Sequence, residues 1–103
     1  MTLEDFVAMF ENVGMPIAFD HFKTAQKLPY LVYIVSANDQ FAADNKTFHS
    51  VPVLQLELYT EQKDMEKETA VETIIDDFFY TKEEEYLDDE QMYMVAYRFV
   101  LQK

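Results

Sequence analysis

Six carboxylates stand within eight positions near one end of the chain: Glu83, Glu84, Glu85, Asp88, Asp89 and Glu90. Clusters of this kind hold calcium or magnesium when the oxygens alternate around a sharp glycine bend and a glutamate closes the loop. This segment has no glycine. It reads better as a solvated acidic surface than as a cation cage, and no cofactor or metal is expected. Paired carboxylates can also hydrolyse by general acid–base work, but no one pair here stands out. The two histidines, His21 and His49, sit among aromatic and aliphatic neighbours and belong to no metal-ligand or catalytic spacing. Gly14 is the one glycine in the sequence. A chain with a single glycine cannot hold the glycine-rich loops that bring backbone close to a phosphate. There is no cysteine either, so thiolate metal sites, disulfides and cysteine nucleophiles are excluded. The expectation is a protein that is not an enzyme.

Charge narrows the class further. Twenty acidic residues against eight basic ones leave a formal charge of −12. Such a field repels a phosphate backbone, so direct nucleic-acid binding is not expected. The acids are unevenly spread. From Glu61 to Glu90 there are thirteen, against Lys63, Lys67 and Lys82, a balance of −10. That stretch is either a solubilising surface or an electrostatic docking face for a basic partner or a neighbouring subunit. The sequence leaves both open.

The chain of 103 residues is read as one domain, 1–103, without repeats, linkers or low-complexity tails. Half of it is apolar and 16% aromatic, enough for a packed core despite the charge. No stretch approaches the ~18 apolar residues of a membrane span, and Met1-Thr2-Leu3-Glu4-Asp5 lacks a basic, then apolar, leader. The expectation is a protein of the cytosol with no membrane partner.

Several elements must carry these groups. Thr2, Glu4 and Asp5 open a helix, and Leu3, Phe6, Val7, Phe10 and Val13 recur at helical spacing until Gly14 and Pro16 stop it. Residues 15–30 fit either a strand within 17–22 or an irregular packed segment. The uncharged run Tyr30 to Val35 predicts a strand buried on both faces. Ser36-Ala37-Asn38-Asp39 and Asp44-Asn45-Lys46 carry turn chemistry, with a short strand possible at Phe41 to Ala43. From Phe48 to Thr60, Leu54, Leu56 and Leu58 alternate with polar positions, as a strand with one buried face requires; Pro52 places its start at an edge or bulge. A second helix begins near Asp64, with Val71, Ile74, Ile75 and Phe78 as its apolar stripe and Glu66, Glu68, Glu72 and Asp76 as wet positions. Thr81 to Glu85 reads as a charged connection, with Tyr86 and Leu87 in a short strand. The last element, Gln91 to Leu101, is apolar on both faces and predicts a central strand or a subunit interface. The order implies an α+β fold: an antiparallel β-sheet with two helices packed mainly on one face.

Two surfaces are candidates for contact. One is the loop from Ser36 to Lys46, with Asn38, Asp39, Phe41, Asp44 and Asn45. The other is the acidic segment with Glu83, Glu84, Glu85, Asp88, Asp89 and Glu90. For each, an ordinary solvated loop is the plainer alternative.

An ordered set of short strings carries a resemblance. Leu28-Pro29-Tyr30-Leu31-Val32-Tyr33 is followed by Phe41-Ala42-Ala43-Asp44-Asn45, then Leu56-Glu57-Leu58-Tyr59-Thr60 and Lys63-Asp64. Glu85-Tyr86-Leu87 and Glu90-Gln91-Met92-Tyr93 complete it. From Leu28 onward the chain resembles the tail-terminator and tail-completion (head-to-tail joining) proteins of long-tailed phages and prophages of Gram-positive bacteria. The resemblance implies an α+β fold with an antiparallel sheet and a six-membered ring. That ring caps the tail tube and offers its other face to the head connector proteins. It also implies assembly in the bacterial host cytoplasm and a final place at the virion head–tail junction. A second reading, from another class, is an acidic nucleic-acid mimic that inhibits a host defence nuclease. A small hydrolase or metal-dependent enzyme is the third.

Overall fold

The computed structural model describes residues 2–38 and 52–101. Among the described residues there are two helices and five strands: α1 (Leu3–Ala8), β1 (Ile17–Phe19), β2 (Tyr30–Asn38), β3 (Pro52–Thr60), α2 (Met65–Ile74), β4 (Tyr80–Leu87) and β5 (Met92–Val100). The strands form one sheet in the order β1-β2-β3-β5-β4. The class is α+β, with both helices on the sheet, as the pattern of elements implies. The sheet is not wholly antiparallel, however. β1 runs parallel to β2, pairing Ile17 with Leu31 and Phe19 with Tyr33, while the other three pairings are antiparallel. Residues 20–29 carry the chain back along the sheet before β2 begins, the return that a parallel pair requires.

Each helix is set by its cap. The Thr2 hydroxyl accepts from Asp5 N at 3.0 Å, and Asp5 Oδ2 accepts from Thr2 N at 3.1 Å, a reciprocal capping box. The regular helix is shorter than its apolar spacing suggests. Past Ala8 the chain tightens into turns with bonds to the third residue back, such as Phe10 N to Val7 O at 2.9 Å and Val13 N to Phe10 O at 3.1 Å. Phe10 stays 2% exposed through this change, and Gly14 takes φ +82° to leave it. Asp64 caps α2 by accepting from Lys67 N at 3.0 Å. Ile75 and Phe78 continue the buried stripe beyond the helix end.

The core lies between the helices and one face of the sheet. Leu54, Leu56 and Leu58 of β3 alternate inward beside Leu31 of β2 and Val95, Tyr97 and Phe99 of β5, and meet Phe6, Phe10, Val71 and Ile75. The Phe6 ring packs on Phe10 at 5.1 Å and on Tyr33 and Phe99 at 5.8 Å. Among the described residues no helix covers the opposite face, although Val32 and Ala96 on it are buried and the Phe22 ring packs on Tyr30 there at 5.3 Å. That face carries Tyr30, Val32, Gln55, Glu57, Tyr59, Met94, Ala96 and Arg98, by alternation from the buried set.

Other expectations need correction. β2 extends through Ser36 to Asn38, where turn chemistry predicts a reversal; the ladder with β3 continues, with a register shift between Val35 and Ala37. β2 is not buried throughout, since Val35 at its helix-facing end is exposed. Pro52 opens an interior strand and not an edge strand, but its start does lie beside an irregularity, the register shift opposite Val53 and Leu54. Thr81 to Glu85 is no loose connection. It forms one strand with Tyr80, Tyr86 and Leu87 because the β5 backbone supplies a complete ladder. β5 is interior, between β3 and β4, as its two apolar faces require.

Candidate interaction surfaces

β4 is an edge strand, and alternation divides its acids between two faces. Lys82 and Glu84 point to the side of α2, whereas Glu83 and Glu85 point to the uncovered face. On the helix side the centre is Glu68, placed among the wet positions by sequence but 3% exposed in the fold. Its Oε1 accepts from Lys63 Nζ at 3.0 Å and from Lys82 Nζ at 2.8 Å. Lys82 also pairs with Glu72 at 2.8 Å, and Glu72 accepts from the Tyr97 hydroxyl at 2.8 Å. Lys63 and Tyr93 both donate to Glu84. One network thus ties the β3–α2 connection, α2, β4 and β5 together.

Electrostatics follow from these contacts. Glu84 is held below the usual glutamate range by the Lys63 bond first and the Tyr93 bond second. Burial pushes Glu72 upward, but hydrogen bonds from Lys82 and Tyr97 outweigh it and leave the carboxyl lowered. Lys63 is raised, chiefly by Glu84 and then Glu68. Burial opposes the charge on Lys82, yet its bonds to Glu68 and Glu72 raise it above the ordinary lysine value. The Tyr97 hydroxyl is raised by burial and then by Glu72. These groups bond to one another across four elements, and Glu68 Oε2 alone of the network's buried side-chain oxygens has no partner among the described residues.

The six candidate acids therefore separate. Glu84 belongs to the network, and Glu83 pairs with Arg98 at 2.8 Å on the uncovered face, where Arg98 Nε also donates to Gln55 Oε1 at 2.6 Å. The side chains of Glu85, Asp88, Asp89 and Glu90 are exposed and make no hydrogen bond or ion pair among the described residues. Asp88 to Gln91 form the β4–β5 turn, with Gln91 at φ +54°. Four free carboxylates at one corner of the sheet form the accessible acidic surface. Of the other candidate surface, Asn38 is the last residue of β2, while Asp39, Phe41, Asp44 and Asn45 lie outside the described residues, as do the short strand expected at 41–43 and His49.

A hollow of about 780 Å³ is lined by Lys27, Pro29, Thr60, Glu61, Lys63, Asp64 and Lys67 among others, so cationic and acidic side chains meet there. His21 Nδ1 lies 2.7 Å from Asp20 Oδ2, with both side chains mostly exposed. Among the described residues no group of three or more histidines and carboxylates is arranged to hold a metal ion, and no helix is long and apolar enough to cross a membrane. Sequence reasoning missed Glu68 as an anchor. Its signal was spacing, because Glu68 stands three residues before Val71 and seven before Ile75, on the buried stripe itself.

No protein-family model matches the chain, and no curated protein matches it. Among solved structures, the fold is similar to a chain from the virion of a native gene transfer agent particle. The TM-score is 0.57 at 12% identity, over 89% of this chain and 82% of that one. At that identity the likeness is one of fold.

Proposed function

We propose that the chain is a non-enzymatic virion subunit of the head–tail junction, a ring of six copies that caps the tail tube and joins it to the head connector. The observation that carries the reading is the fold shared, nearly end to end, with a chain of a gene transfer agent virion. The ordered strings from Leu28 to Tyr93 give independent support, because they resemble tail-terminator and joining proteins. The surface chemistry agrees. Locked ion pairs, a free acidic corner and shallow hollows suit a part that touches other proteins better than one that turns over a substrate.

Purified protein added to polymerising tail tube protein tests the proposal directly. The expected result is tubes of limited length with extra density at one end in negative-stain images, together with a discrete six-copy species by native mass spectrometry. Unchanged tube growth and no end density would refute it. A persistent monomer that captures a DNA-cleaving nuclease, and is displaced by DNA, would establish the mimic reading instead. The four free carboxylates at the β4–β5 corner are the feature that reading would use.

A further inference from the structure

Pairing across the strands sets the side chains of the uncovered face in rows. Tyr30, Tyr59, Met94 and Glu85 stand in one row, and Val32, Glu57, Ala96 and Glu83 stand in the next. The segment after β1 forms a wall beside them. Its Phe22 ring packs edge-on against Tyr30 at 5.3 Å, and Tyr30 lies 5.2 Å from Tyr59. Wall and sheet enclose a hollow of about 390 Å³, lined by Asp20, Phe22, Tyr30, Glu57 and Tyr59 among others. Three aromatic rings and two carboxylates thus share one recess.

Its carboxylates lack a cation. Glu57 accepts from the Gln55 amide through Oε2 and from the Tyr59 hydroxyl through Oε1, both neutral donors. It makes no ion pair among the described residues, and each oxygen can accept a second bond. Asp20 lies 2.7 Å from His21 Nδ1 at the rim. Lys23 also lines the hollow, but it pairs with neither carboxylate and stands over no ring among the described residues. Arg98, the cation on this face, is taken by Glu83 at 2.8 Å. Glu85 adds a free carboxylate to the row of Tyr59. Aromatic faces attract a cation, and an adjacent carboxylate fixes where its charge sits. A guanidinium suits such a place better than an ammonium, because it sheds water more readily, stacks on rings and presents a planar fork to a carboxylate.

We infer that this hollow receives an arginine side chain of a partner protein, stacked among Phe22, Tyr30 and Tyr59 with its guanidinium on Glu57. The site stands apart from the β4–β5 corner, and it does not depend on the ring.

Nuclear magnetic resonance titration of the full chain with N-acetyl-arginine amide, beside the matching citrulline and lysine compounds, tests it. The expected result is a saturable shift in the signals of Phe22, Tyr30, Glu57 and Tyr59. Citrulline, of the same shape but uncharged, should leave them in place, and lysine should bind more weakly than arginine. Glu57→Gln keeps the size of the side chain without its charge and should raise Kd by about fivefold or more, as should loss of a ring in Tyr59→Leu. Melting curves confirm that each variant is folded, and the citrulline comparison needs no variant at all. Equal shifts with citrulline, or an unchanged Kd in folded Glu57→Gln, would overturn the site. Lysine bound as tightly as arginine would overturn the choice of a guanidinium. Shifts confined to Asp88, Asp89 and Glu90 would overturn the hollow in favour of the corner. Binding that appears only in Lys23→Ala would overturn it as well, by showing that the chain fills the hollow with its own lysine.

Discussion

Glu68 shows how a single side chain governs this surface. It sits on the buried stripe of α2, accepts two lysines on one oxygen and leaves Oε2 without a partner among the described residues. Removing one member of a buried ionic cluster leaves the others uncompensated. Here Lys63 and Lys82 are 41% and 30% exposed and can turn to water, which reduces the loss. Glu68→Ala should therefore destabilise the fold by about 1–3 kcal/mol, read as a lower midpoint in urea. The network also sets a pH dependence. Glu72 and Glu84 have lowered values in the fold, so their contribution is complete above the ordinary glutamate value of 4.5 and is lost as pH falls below it. Lys63 and Lys82 are raised, so theirs is complete below 10.5 and fades only in stronger alkali. Melting temperature measured from pH 6 down to 3 should fall, and Glu72→Gln should make that fall shallower. An unchanged slope would remove Glu72 from the account.

Strands and helices were legible in the sequence where one face was apolar. Leu54, Leu56 and Leu58 announced β3, and the stripe through Val71 and Ile75 announced α2 with its Asp64 cap. Replacing that cap, Asp64→Ala, should cost about 1 kcal/mol, checked by thermal melting. β4 was not legible as one strand because its side chains are mostly exposed and charged; an edge strand can be built from a partner's ladder with no apolar face of its own. β1 was ambiguous because three residues carry too little pattern to show a period. The candidate acids were legible as a cluster, but their division into locked and free groups was not. That division depends on which side of β4 each residue faces and on lysines from other elements. The charges on β4 have a protective consequence. An open strand edge invites pairing with another chain, and carboxylates discourage it. Glu83→Thr with Glu85→Thr should leave the melting temperature nearly unchanged but raise turbidity on heating. Equal turbidity would assign edge protection to something other than these two residues.

At the scale of the molecule, the acidic corner and the sheet order have separate consequences. If the proposed junction role holds and Glu85, Asp88 and Asp89 meet a basic partner, reversing all three to lysine should abolish attachment to tails in a pull-down. Attachment by the wild type should weaken steeply as salt rises and the Debye length shrinks below ~10 Å. Attachment indifferent to both changes would make the corner a solubilising surface. The order β1-β2-β3-β5-β4 places β5 between two strands that precede it in the chain. β3 and β4 are therefore both made before the strand that joins them. Without β5, β4 has no ladder to complete among the described strands, and its row of acids keeps it hydrated. The sheet closes when β5 docks between its neighbours, so a purified fragment ending at Leu87 should be protease-sensitive throughout β4, while the chain through Leu101 should resist.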